Sequence, residues 1–227
     1  MSVLSHQQKQ ALNSRIRDIE AQTSAELVTI ICKKSDDYFY IPLLFAALSA
    51  LALPLLIGFL PDSVWQQVVT NFNVWRDGAL NHGVPYGFFI LQIILFVLVA
   101  VLVQIPRIKM ALVPESVRHQ RARRHGHELF FIEGLHLTKD RTGVLFFVSE
   151  AERYVEIMTD QAIGEGIAGP NDEQWQQIVA NFVARVKDDQ IYLGYDEAIE
   201  ACGALLIAHF PATSQNDNEL PDHLIEL

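Results

Sequence analysis

The order of apolar and polar positions divides the chain into two long uncharged runs and a mixed remainder. Residues 41–60 (IPLLFAALSALALPLLIGFL) and 87–105 (GFFILQIILFVLVAVLVQI) contain no charged side chain. At 1.5 Å per residue, each would be about 30 Å long as a helix, the thickness of a bilayer's hydrocarbon core. Two such runs in one short chain predict a transmembrane hairpin rather than two buried core helices. Pro42 stands near the start of the first run, where a helix tolerates it. Pro54 lies inside, and predicts either a kink or accommodation by the neighbouring helix. Gln92 and Gln104 are the strongly polar residues of the second run. Tyr38, Phe39 and Tyr40 before the first run, and Trp75 and Tyr86 before the second, suit the aromatic belts at membrane interfaces. Between the runs, Trp65, Val68, Val69, Phe72 and Trp75 fall on one helical face, as an interfacial helix requires.

The remainder shows ordinary helix and strand periods. Residues 5–21 form an amphipathic helix with Ala11, Leu12, Ile16 and Ile19 on one side. Residues 25–32 (AELVTIIC) read as a strand buried on both faces. Pro114 opens a helix, with Glu115 in its first turn, that runs to about Phe131 and ends before Gly134. Gly143–Ser149 and residues 154–160 are strands joined by the polar turn 150–153. Asn171 or Asp172 caps a helix whose Trp175, Ile178, Val179, Phe182, Val183 and Val186 share a face. A last helix begins near Gly194, carries Tyr195, Ala198, Ile199, Cys202, Leu205, Leu206 and His209, and stops at Pro211.

One helix and one strand before the hairpin cannot close a core. The first strand is therefore expected to pair in parallel with Gly143–Ser149, across the hairpin. The fold class is an α/β protein, a three-layer-like sandwich interrupted by a two-helix transmembrane hairpin. Residues 1–35 supply its first helix and strand, and 36–106 the hairpin with an external loop at 61–85. Residues 107–210 complete the sandwich, and 211–227 form an acidic, flexible tail. The tail closes on Leu224, Ile225 and Leu227, an apolar cluster that docks either on its own domain or on a partner. In this topology the first strand's C-terminal end and the turn 150–153 face the bilayer, and residues 138–142 lie away from it.

Charge fixes the orientation. The 227-residue chain has a formal net charge of −10 with 19% charged residues, yet its mean hydropathy is positive because of the two runs. Of lysine and arginine the loop 61–85 holds only Arg76, whereas Lys33, Lys34, Arg107, Lys109, Arg118, Arg121, Arg123 and Arg124 flank the opposite side. The excess of cations predicts both termini on the cytoplasmic face of a bacterial inner membrane. Arg107, Lys109, Arg118, Arg121, Arg123 and Arg124 are also candidate contacts for anionic lipid head groups. The acidic remainder excludes nucleic acid as a partner. The polar first twenty residues predict no signal peptide. Cys32 and Cys202 lie far apart without metal-ligand spacing and are expected as reduced core thiols.

Candidate chemistry is sparse. His119, His125 and His127, with Glu128 and Glu133, lack the three- or four-residue separations that put histidines on one helical face, so they predict no metal site. Ser149 lacks the G-x-S-x-G turn of a nucleophile elbow. Gly164, Gly166 and Gly169 fit no phosphate-binding loop. Glu152, Arg153 and Glu156 read as a surface charge ladder, and Glu26 and Asp160 as turn or capping residues. Asp140 and Arg141 either pair with each other, hold a phosphate or carboxylate, or lie in a solvated turn. No catalytic residue is assigned.

The stretch 138–167 (TKDRTGVLFFVSEAERYVEIMTDQAIGEGI) resembles the TPM-domain family: an acidic turn, a Gly-Val-Leu strand, a Val-Glu-Ile strand and a glycine-containing segment. Thr23-Ser24-Ala25-Glu26, the Trp175 helix and the helix after Tyr192-Leu193-Gly194-Tyr195 fit the same order. The resemblance implies an α/β sandwich, often membrane-tethered, with acid phosphatase activity or calcium binding assigned to some members. It also marks Asp140, Arg141, Thr142 and Gly143 as the ligand or turn motif. Family members commonly have Asp-Asn before this glycine, where this chain has Arg141 and Thr142. A guanidinium repels the calcium that carboxylate and carbonyl oxygens attract, which leaves Asp140 as the remaining candidate metal ligand. The expected function is therefore a membrane-tethered interaction or maintenance module with a protein partner, leaning away from catalysis. The alternatives are a phosphatase or calcium-dependent hydrolase of the family type, and a component of a small oligomeric channel or transporter.

Overall fold

The computed structural model describes residues 4–59, 61, 63–64, 67, 70, 83–167, 172–212, 220 and 224–227. The chain divides into two compact units: Met1–Asp36 with Glu115–Leu227, and Asp37–Pro114. The first is a mixed α/β unit, and its strands come from both sides of the second in sequence.

Helix α1 (His6–Glu20) starts at a reciprocal cap, in which Gln8 N donates to Ser5 Oγ and Ser5 N donates to Gln8 Oε1. Its Leu12, Ile16 and Ile19 are buried. Strand β1 (Glu26–Cys32) follows and is buried along its whole length. It pairs in parallel with β2 (Gly143–Ser149), Glu26 opposite Gly143 and Cys32 opposite Ser149. The pairing expected across the intervening segment is thus present. Strand β3 (Tyr154–Thr159) runs antiparallel to β2. The fourth strand, β4 (Leu224–Glu226), is parallel to β1, and the sheet order is β3-β2-β1-β4.

Side chains of a strand alternate between faces, and here each face has its own core. Leu27, Ile31, Val144, Phe146 and Ile157 pack with α1, α7 (Glu173–Lys187) and α8 (Ile191–His209). Val28, Ile30, Leu145, Phe147 and Met158 pack with α5 (Glu115–Ile132). Asp172 caps α7 by accepting from Gln174 N, and Asn171 lies outside the described residues. Helix α8 begins at Ile191, earlier than the expected start near Gly194.

Among the elements that the sequence pattern does not predict are a short helix and a terminal strand. A short helix, α6 (Gln161–Gly166), is capped by Asp160 Oδ1, which accepts from Gln161 N. Strand β4 uses the terminal apolar cluster, so that cluster docks on its own domain. Leu227 N donates to Ile31 O, Lys33 N donates to Leu227 O, and Lys9 pairs with Glu226.

The second unit contains α2 (Tyr40–Gly58), α3 (Gly83–Val103) and α4 (Pro106–Leu112), with α2 and α3 packed together. Pro54 stands inside α2 and cannot donate to Ala50 O. Gln92 Nε2 of α3 donates to that carbonyl at 2.8 Å instead. The expected accommodation of Pro54 by a neighbouring helix is found in this bond. Pro106 opens α4, which is bent by 97° from the helix before it. Among the described residues no single helix is long and apolar enough to cross a membrane, and only the bent pair Gly87–Val103 with Pro106–Leu112 passes together. The face expected from Trp65, Val68, Val69, Phe72 and Trp75 lies outside the described residues.

Candidate functional site

The motif at 140–143 is a closed turn at the starting end of β2. Gly134, at φ 77°, ends α5 in the left-handed conformation that glycine adopts freely. A short 3-10 turn, Leu135–Leu137, follows. Thr138 Oγ1 donates to Leu135 O and accepts from Thr142 N, while Arg141 N donates to Thr138 O. Thr142 Oγ1 donates to Ser24 O, which ties this turn to the start of β1. Gly143 is required by space, because a Cβ there would stand 2.4 Å from Leu135 O.

Arg141 sits at φ 57°, a strained conformation for a residue with a Cβ. Its Nε lies 2.9 Å from Asp160 Oδ2, as an ion pair, and its NH1 donates to His136 O at 2.7 Å. Asp160 is 7% exposed, so this pair is half buried, with the carboxylate inside and the guanidinium at the rim. Asp160 thus has two tasks: it caps α6 and it holds Arg141. Asp140 is exposed, and its carboxylate does not share the Asp160 pocket's burial. The residues of this turn do not fit calcium. The buried carboxylate already faces a fixed cation, and Thr142 is itself buried, with its hydroxyl turned to Ser24 O. Among the described residues no group of three or more His, Cys, Asp or Glu is placed to hold a metal ion.

Two histidines of α5 make separate contacts within the unit. His119 lies against the Tyr154 ring and 3.7 Å from Glu115, and His125 lies against Phe147 and 3.7 Å from Glu128. The basic residues of α5 are largely engaged within the unit. Arg121 pairs with Asp36, Arg123 with Glu156 and Arg124 with Glu128, each at 3.3–3.4 Å. Arg118 is partly buried. In the other unit Lys109 Nζ donates to Asp37 O, and Arg107 is exposed.

The opposite end of the sheet holds a polar cluster that the sequence reading missed. Glu152, read as a surface residue, is fully buried. Its Oε2 accepts from Ser149 Oγ at 2.5 Å and from Ser35 N at 3.1 Å, and the Ser35 and Ser149 hydroxyls lie 2.7 Å apart. Glu150 N donates to Cys32 O, and Ala151 N donates to Lys33 O. These bonds lock the β2–β3 turn to the segment leaving β1. The available signal was the Ser149-x-x-Glu152 spacing, which lets a serine and a glutamate meet across one turn. Cys32, beside this cluster, is a free buried thiol whose pKa burial, and then the charge of Glu152, push up to about 11. Burial likewise raises Cys202 to about 12. Both cysteines are buried thiols, as expected.

Comparison with known proteins agrees with this architecture. Residues 106–205 match the model of the TPM domain. No curated protein matches the chain. The NMR structure of the BA42 protein from the psychrophilic bacterium Bizionia argentinensis is similar over 99% of this chain and 95% of that one, with a TM-score of 0.56 and 15% identity. At that identity the likeness shows the fold alone. The matched segment supplies β2, β3, α5 and α7, while β1 comes from outside it. The resemblance to the TPM-domain family read from residues 138–167 thus extends over residues 106–205.

Proposed function

We propose that the chain is a membrane-tethered TPM protein that serves as an interaction or maintenance module on the cytoplasmic face of a bacterial inner membrane. The observation that supports it most is the outer surface of the α2–α3 pair. Leu51, Leu55 and Leu56 of α2 are 64–69% exposed although the two helices pack together. Phe89, Ile94 and Val101 of α3 are 57–62% exposed. An apolar surface of that extent is a membrane or partner contact rather than a water-facing one. By length and composition, the bent pair Gly87–Val103 with Pro106–Leu112 is the described segment that passes for a span. The cations on both sides of this unit in sequence favour termini on the cytoplasmic side.

What supports the interaction role is the turn at 140–143, where Arg141 pairs with the buried carboxylate of Asp160. Membrane fractionation tests the tether. The chain should stay with the membrane through alkaline carbonate and dissolve only in detergent, and a periplasm-active reporter at the C-terminus should be silent. A chain recovered in the aqueous supernatant, or an active reporter, would sink the reading. Phosphomonoester hydrolysis at ordinary enzyme turnover, lost on Asp140→Ala, would replace it with a phosphatase.

A further inference from the structure

A cleft of about 530 Å³ opens in the α/β unit between the β2–β3 turn and helices α7 and α8. Its volume is that of an ordinary small-molecule site. Val155, Phe182, Val186 and Ile191 make its walls apolar, and Val186 is left 39% exposed. Two cations, Arg153 and Lys187, stand in the lining with exposed side chains. Neither forms an ion pair with any described acid, whereas Arg15, Arg121, Arg123, Arg124, Arg141 and Arg185 all do.

A second observation is independent of shape. Arg153 holds φ 54°, a backbone conformation that glycine or asparagine adopts with far less strain. Its backbone N closes the turn on Glu150 O, a bond glycine would make equally well. Nothing in the turn's own geometry asks for an arginine. Strain of this kind, held beside a cavity, points from the residue to a use for its side chain.

We infer that this cleft binds a single-chain anionic amphiphile, with its carboxylate or phosphate head on Arg153 and Lys187 and its hydrocarbon chain along Val155, Phe182, Val186 and Ile191. Guanidinium and ammonium groups supply charge-assisted bonds to such a head, and the walls desolvate the chain. The single acid in the described lining, Glu150, opposes the head group. Burial and then the charge of Glu226 raise its carboxyl above the usual range, which weakens that opposition. This inference does not rest on the membrane tether.

Photolabelling of the full chain in detergent micelles tests it, using diazirine-bearing palmitate, the matching lysophosphatidic acid and the matching neutral alcohol. Sites would be mapped by mass spectrometry. Both anions should label peptides spanning 148–155 and 182–195, and the alcohol should label them at least about tenfold less. Arg153→Gly, which relieves the strained backbone, and Lys187→Ala should each reduce this labelling about tenfold, and Glu150→Gln should increase it. Labelling of α2 and α3 serves as the internal control for a folded chain and should not change. The inference is overturned if labelling is confined to α2 and α3, or if the neutral alcohol labels the cleft equally. Insensitivity to Arg153→Gly and Lys187→Ala, or full competition by millimolar inorganic phosphate, would overturn it too. If only one of the two anions labels the cleft, that head group is its ligand.

Discussion

Gln92 Nε2 donates at 2.8 Å to Ala50 O, the carbonyl that Pro54 leaves without its helical donor. A buried or lipid-facing carbonyl without a partner is costly, so this side chain repairs a defect that the sequence of α2 creates. Gln92→Leu should therefore weaken the α2–α3 pair by about 0.5–2 kcal/mol. In a Pro54→Ala background, residue 54 regains an N–H, and the same change should cost close to nothing. Thermal melting of the four variants in one detergent closes this cycle. Equal costs in the two backgrounds would show that Gln92 does not act through Ala50.

Asp160 serves both Arg141 and the start of α6. Its replacement by alanine should lower stability by about 1–3 kcal/mol, from a lost cap and an unpaired guanidinium. Arg141→Ala strands the buried carboxylate and keeps the strain at φ 57°. Arg141→Gly strands the same carboxylate but relieves the backbone, so it should be the milder of the two by up to about 1 kcal/mol. Chemical denaturation with a common slope measures the difference, and the reverse order would remove the strain argument.

Glu152 is the more sensitive position. Alanine there leaves the Ser35 amide and the Ser149 hydroxyl without their acceptor, at a cost of about 2–4 kcal/mol. For a domain of this size that lowers the thermal midpoint by roughly 5–15 °C. Glutamine keeps one acceptor oxygen and should recover at least half of the loss. An alanine variant as stable as the parent would mean that the cluster does not hold the turn.

The raised pKa of Glu150 has a definite sign. Burial is its largest cause and Glu226's charge the next, with Lys33 opposing. A carboxyl raised in the folded state contributes stability that is complete below its unfolded value, near 4.5, and is lost as pH rises through its higher folded value. Glu150→Gln should therefore be more stable than the parent at pH 7, and the advantage should shrink to nothing below about pH 4.5. Melting curves at both pH values decide it, and an advantage larger at low pH would contradict the assignment.

What the residues announced in advance were features with a local cause. The β-branched run of β1, the glycine that ends α5 and the spacing of Trp175, Ile178 and Phe182 carry their own periodicity. So do the two apolar runs, which gave helices α2 and α3 though not the bounds of either. Glu152 was misread because its burial depends on Ser35, 117 residues away. Strand β4 was missed because its three residues are too few to show alternation. Helix α6 was hidden by Gly164 and Gly166, which weaken any helical pattern, and only Asp160 signalled it. The motif at 140–143 lies in a turn, but the Arg141–Asp160 pair was not foreseen, since a long-range ion pair leaves no local signature.

The separation between Ser35 and Glu152 also sets a clock. At 5–20 residues per second, a ribosome takes roughly 6–25 s to make the chain that lies between them. During that interval β1, with Ile30 and Ile31, has no strand to pair with, because both its neighbours are synthesised later. The α/β unit therefore cannot fold from its N-terminus onward as it emerges. Its central strand waits, and the polypeptide most exposed to mispairing during biogenesis is a segment that ends up buried along its whole length.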